Sequence, residues 1–138
     1  MTVKVYTDGA CRGNPGLGSW AFICEDDKGT RHERSGYIGP TTNNRAEYIA
    51  IVEALKFLKE QGIIRAVLYS DSQVVVNQIC EDFVIKNDAL QALKDQVDRL
   101  AEDIDLVVLY MTREAQDLKA CDRLCNKVLD GHPKGESW

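Results

Sequence analysis

Polar and apolar positions alternate at the start of the chain, where Val3, Lys4 and Val5 lead through Tyr6 into Thr7-Asp8-Gly9. That period of two predicts a strand over 2–9, and similar stretches at 18–26 and 30–38 complete an antiparallel set. The period then changes. Thr41-Thr42-Asn43-Asn44 offers capping side chains, and a helix is expected over 44–60, ending near Gly62. Residues 63–70 contain Ala66-Val67-Leu68-Tyr69, the short apolar run of a buried strand, and a short helix over 72–80 follows. A third helix over 88–102 carries Leu90, Leu93, Val97 and Leu100 on one face. A last strand over 104–111 and a closing helix over 114–130 complete the order. Hairpins followed by alternating helices and strands indicate an α/β sheet with an antiparallel edge.

Four acidic residues fit this pattern poorly. Asp8 follows the first apolar stretch and faces a Gly/Asn/Pro-rich segment, Gly9-Ala10-Cys11-Arg12-Gly13-Asn14-Pro15-Gly16. It is expected at a strand end beside an accessible turn, and a turn-initiating Asp is the ordinary alternative. Glu47 shares a helix face with Ala50, Ile51, Ala54 and Leu58, so it heads an apolar stripe; an acid near a helix N-terminus also interacts with the dipole. Asp71 ends a strand, where open α/β sheets gather their chemistry, or it caps the helix that follows. Asp122 aligns with Leu118, Cys125 and Leu129, where an ionised group needs a partner or a metal; Arg113 and Arg123 are available partners. Four separate structural explanations account for this joint pattern less well than one shared site.

Composition narrows the setting. At 138 residues and 44% hydrophobic content, one domain over 1–130 with a short tail over 131–138 (GHPKGESW) is expected. The longest uninterrupted apolar run is six residues, Leu106 to Met111, too short for a membrane span. With the first strand starting at residue 2, no signal peptide and a cytoplasmic location are expected. Five cysteines read as reduced, core-packed thiols; Cys121 and Cys125 share a helix face, but no other Cys or His has matching ligand spacing. A net charge of −5 argues against strong nonspecific nucleic-acid binding, although masking four site acids would leave only −1.

TDGACRGNPG, TNNRAEY, LYSDS and ACDRLCN resemble, in order and spacing, the motifs of type 1 ribonuclease H, over roughly residues 2 to 130. The resemblance implies a ribonuclease H-like fold, with a five-stranded mixed sheet of three antiparallel and two parallel strands flanked by helices. It implies that Asp8, Glu47, Asp71 and Asp122 are catalytic carboxylates holding two Mg²⁺ ions, with Mn²⁺ as an alternative. It implies hydrolysis of the RNA strand of RNA–DNA hybrids, leaving 5′-phosphate and 3′-hydroxyl ends. Such chemistry suits the residues: phosphodiester cleavage by two divalent ions needs oxygen ligands, and Mg²⁺ prefers them. Crowded carboxylates without cations should carry raised pKa values. Substrate contacts are expected from Cys11, Gly13, Asn14, Thr42, Asn43 and Asn44, whose neutral groups suit ribose 2′-hydroxyls, and from Arg12, whose charge suits a phosphate; capping and turn chemistry is the alternative role of the neutral set. A monomer is expected.

Two departures from the family pattern stand out. The segment Cys80 to Asp88 has one Lys and three acids, so the basic, Trp-containing protrusion of many bacterial relatives is missing, and a short loop tucking Phe83 into the core is expected. The loop before the last helix, Met111 to Gln116, has Arg113 where many relatives carry His; as a permanent cation it neutralises charge but is no general base. His32 is expected to face solvent and His132 lies in the tail. Other classes fit less well. A non-catalytic hybrid-binding relative would not need four intact acids. A haloacid dehalogenase-type phosphatase would need a second Asp where Ala10 stands.

Overall fold

The computed structural model describes residues 2–81 and 85–132. Strands β1 (Val3–Gly13), β2 (Gly16–Glu25) and β3 (Arg31–Thr41) form a meander, followed by α1 (Asn43–Glu60), β4 (Arg65–Ser70), α2 (Gln73–Glu81), α3 (Asp88–Ala101), β5 (Asp105–Tyr110) and α4 (Gln116–Asp130). One five-stranded sheet results, in the order β3-β2-β1-β4-β5. The β1–β2 and β2–β3 pairs are antiparallel, whereas β1–β4 and β4–β5 are parallel. Every expected element is present, and most boundaries move by one to three residues.

The largest change concerns β1, which runs four residues past its expected end, to Gly13. Asp8 is therefore the sixth of eleven strand residues and not a terminal one. Ala10, Cys11 and Arg12 do not loop out; they pair with Ser19, Gly18 and Leu17 in a long hairpin. The strand-end logic survives in another form. β4 stops at Ser70, opposite Thr7, so from Asp8 onward β1 has a neighbour on one side only. The opening lies at the carboxyl edge of the parallel half.

Period-two alternation sends β1 side chains to two cores. Val3 and Val5 join Phe22, Leu68 and the apolar face of α1 and α3. Tyr6 joins Ala21 and Ile23 beneath Leu118, Cys121 and Cys125 of α4. Thr42 caps α1, its hydroxyl accepting from the Arg45 N–H at 3.4 Å. Asn87 caps α3 in the same way at 3.1 Å.

Gly9 sets the approach of α1 to the sheet. A Cβ there would collide with the Ala46 carbonyl and the Glu47 N–H. Gly9→Ala should therefore displace the first turn of α1 and cost about 3 kcal/mol, the upper range for overpacking. Chemical denaturation measures the loss, and Glu47, riding on that turn, should be displaced with it.

Several expectations are revised. His32 is half-buried and packs its ring against Phe57, centroids 5.6 Å apart, because it sits opposite Cys24 on the α1 face of the sheet. Cys24, Cys121 and Cys125 are buried as expected, but Cys80 is exposed and Cys11 only partly covered. The Cys121 and Cys125 thiols face the carbonyl oxygens of Tyr6 and Asp8 at 3.3 and 3.5 Å, and burial raises both above the usual thiol range. They are packing groups. His132 stacks on Tyr37 with centroids 3.9 Å apart. Phe83 and Trp138 lie outside the described residues. Among the described residues no helix is long and apolar enough to cross a membrane.

Candidate active site

Three of the four acids converge where β1 loses its parallel neighbour. Asp8 comes from β1, Glu47 from the first turn and a half of α1, and Asp71 from the residue after β4. Carboxylate oxygens of all three lie within 4.8 Å of one another. Asp8 and Glu47 are 6% and 7% exposed, which removes the solvent that would screen their charges.

The ordinary explanations for these acids fail individually. Glu47 is not spent on its own helix: its carboxylate accepts from the Gly9 N–H at 3.3 Å and the Ser70 hydroxyl at 3.4 Å. Asp71 is not a cap. Ser72 takes that role, its hydroxyl accepting from the Val75 N–H at 3.3 Å, which leaves the Asp71 carboxylate to face the cleft.

Asp122 departs from expectation. It is exposed, because Leu118, Cys121, Cys125 and Leu129 form the buried stripe of α4 and Asp122 stands at its edge. It lines the same cleft but lies outside the close cluster of three, and it accepts from Asn126 Nδ2 at 3.2 Å. Arg113, one of its two anticipated partners, instead donates from Nε to Asp71 at 3.2 Å.

Electrostatics follow from this crowding. Burial, then the charges of Asp71 and Asp122, push Asp8 up to about 7. Burial, followed by Asp8 and Asp71, holds Glu47 well above the usual carboxylate range. Arg113 is raised by its hydrogen bond to Asp71. A group of buried acids stacked against one another is costly unless a cation compensates it.

The cleft has a volume of about 620 Å³. Cys11, Arg12, Asn43, Asn44 and Arg113 line it as anticipated. Gly13 and Asn14, at the tip of the long hairpin, and Thr42, at the α1 cap, do not. Asn14 instead accepts from the Asn43 N–H at 3.1 Å and ties the hairpin to α1, while Thr42 is the α1 cap. Arg12 is drawn to the end of α4, where it pairs with Asp130 at 2.6 Å and donates to the Asn126 carbonyl at 3.4 Å. Ser72, Lys119 and Asn126 line the cleft without having been singled out. The signal for two of them was available, since Lys119 and Asn126 lie three before and four after Asp122 on one helix.

Comparison with known proteins agrees with this geometry. The RNase H family model matches residues 1–126. A ribonuclease H of Caldanaerobacter subterraneus subsp. tengcongensis is 35% identical, the match covering 96% of this chain and 94% of the relative. Others reach higher identity over less of their length, such as the 47% identical ribonuclease H of Chlorobium phaeobacteroides, of which 68% is covered. Among solved structures, RNase H1 of the halophilic archaeon Halobacterium salinarum NRC-1 superposes with a TM-score of 0.88 at 29% identity, covering 95% of this chain and 99% of that one. LC11-RNase H1, solved in complex with an RNA/DNA hybrid, gives 0.85 at 31% identity, with 94% and 98% covered. A family match over most of the chain, a relative aligned along nearly all of it, and type 1 structural neighbours together place this protein in the ribonuclease H family of hydrolases.

Proposed function

We propose that this protein is an endoribonuclease that hydrolyses the RNA strand of RNA–DNA hybrids with two divalent cations, leaving 5′-phosphate and 3′-hydroxyl ends. The observation that carries the reading is the cluster of Asp8, Glu47 and Asp71, with three carboxylates within 4.8 Å and two of them almost fully buried. Its donor set is entirely oxygen, which fits Mg²⁺ or Mn²⁺ and disfavours softer ions. Asp8, Glu47, Asp71 and Asp122 would hold the cations, with Asp8 central because it neighbours both Asp71 and Asp122 electrostatically. Bound there, the cations would supply activated water and stabilise charge on the phosphate and the leaving oxygen.

The chain's own groups bind and orient the substrate. Asn43 and Asn44, at the start of α1, present neutral amides to the cleft beside the acids, and Cys11 lies on the facing strand. Neutral donors and acceptors are what a ribose 2′-hydroxyl needs, and the 2′-hydroxyl distinguishes RNA from DNA. The hybrid as substrate is supported by the LC11-RNase H1 complex. Arg113, on the loop before α4, faces the acids as a permanent cation and favours negative charge developing at phosphorus. Arg113→Ala should lower turnover on the order of tenfold, less than a buried oxyanion donor would, because its side chain is 80% exposed. Steady-state kinetics on a hybrid in Mg²⁺ measure this.

Substrate discrimination tests the reading. RNA–DNA hybrid, duplex DNA and duplex RNA of one sequence, labelled strand by strand, should show cuts in the RNA of the hybrid. The fragments should be ligatable through a 5′-phosphate. Cleavage of the DNA strand, or 2′,3′-cyclic ends, would overturn it.

A further inference from the structure

Three cations line the cleft: Arg12, Arg113 and Lys119. Two are already committed. Arg12 is held at 2.6 Å by Asp130, and Arg113 at 3.2 Å by Asp71. Lys119 is exposed, and among the described residues its ammonium has no hydrogen bond or ion pair. It occupies the same wall of α4 as Asp122 and Asn126, in the i, i+3, i+7 series that faces the cleft beside the buried stripe.

Folding does not explain this placement. α4 begins at Gln116, so Lys119 sits at the end of its first turn, where the helix dipole favours an acid and disfavours a cation. Asp117 supplies that acid and pairs with Arg31 at 3.1 Å. Lys119 thus stands against the dipole, beside a cleft of four acids, with no partner among the described residues.

We propose that Lys119 is a substrate-binding residue that takes a backbone phosphate of the hybrid's RNA strand, next to the scissile one. This rests on the hybrid-cleaving reading above and extends it to a residue outside the acid cluster. One turn separates Lys119 from Asp122, about 4.5 Å along the helix axis. The flexible four-carbon stem then lets the ammonium meet a phosphate neighbouring the one over the acids. A point charge without geometric demands suits a phosphate, and no base edge needs to be read. With one Lys and three acids between Cys80 and Asp88, few phosphate contacts are expected from that segment, so the loss of one elsewhere should be a visible fraction of the total.

Steady-state cleavage of a labelled RNA–DNA hybrid in Mg²⁺, over a series of salt concentrations, tests this on Lys119→Ala and Lys119→Glu. Lys127→Ala is the control, since it removes an equal charge from the last turn of α4 outside the cleft. The alanine variant should raise KM about tenfold, more than it lowers kcat, and flatten the slope of log(kcat/KM) against log salt by about 0.9. The glutamate variant should raise KM further, while both keep a thermal midpoint at or above wild type. The control should leave KM and slope in place. A glutamate variant with wild-type KM and slope overturns the proposal. So does an alanine variant that loses turnover together with thermal stability, which would assign Lys119 a structural role. Wild-type protein that fails to cleave the hybrid overturns the underlying functional reading instead.

Discussion

Asp8→Asn is expected to lower hybrid cleavage by about a thousandfold while making the metal-free protein more stable. The two effects have one cause. Asp8 is buried beside Glu47 and Asp71, and that burial, together with the charges of Asp71 and Asp122, brings it to about 7. The same crowding that makes the carboxylate a ligand for cations makes it a liability without them. An amide of the same shape keeps the packing and removes the charge. The sign with pH follows. A carboxyl whose folded pKa lies above its unfolded value of 3.8 contributes stability that is fully present below 3.8 and is lost as pH rises through about 7. Below pH 4 the neutral acid and the amide differ little. Above pH 8 the variant should be more stable by on the order of 2 kcal/mol. Urea unfolding in EDTA at the two pH values measures this difference, and an Asn variant less stable than wild type at pH 8 would contradict the origin assigned to the shift.

Divalent cations should reverse that liability in the wild-type protein. Binding to the folded state alone stabilises by mass action, about 2.7 kcal/mol at a hundredfold excess over Kd, which corresponds to a rise of several degrees in Tm. EDTA should return the midpoint to its metal-free value. Glu47, held well above the usual carboxylate range by burial and by Asp8 and Asp71, must lose its proton to become a ligand, as must Asp8. The stabilisation by Mg²⁺ should therefore shrink as pH falls below about 7 and disappear in the acid range, as should cleavage. Zn²⁺ should not support cleavage, given the all-oxygen donor set. Scanning calorimetry across pH, with and without Mg²⁺, reads the effect directly; a midpoint indifferent to Mg²⁺ at pH 8 would remove the metal centre from the account.

Much of this was legible in the sequence because the relevant signals are local. Period two in Val3-Lys4-Val5 and helical spacing through Ala50, Ile51, Ala54 and Leu58 located the elements, and Glu47 was conspicuous for heading an apolar stripe. What failed depends on pairing across the sheet. The extent of β1 is set by its partner β2, so a segment rich in Gly, Asn and Pro that reads as a loop is strand as far as Gly13. Asn14 and Thr42, expected at the substrate with turn and capping chemistry as their alternative, make the hydrogen bonds that fasten the hairpin and cap α1. Asp122 shows the limit of a helical wheel. One position of rotation separates the buried Cys121 from an exposed neighbour, and only the packing of α4 against β1 and β2 fixes where that boundary falls. Partner choice among charges was equally out of reach: Arg113 turned to Asp71, more than forty residues away in sequence, and left Asp122 to Asn126.

The most direct test of the central claim is cleavage of an RNA-labelled RNA–DNA hybrid by wild-type protein and Asp8→Asn, each assayed in Mg²⁺ and in EDTA. The wild type should give RNA-strand fragments in Mg²⁺ alone, and the variant none above background in either condition. Fragments from wild type in EDTA, or from Asp8→Asn at a rate near wild type in Mg²⁺, would contradict the assignment of the acid cluster as a metal-dependent catalytic centre.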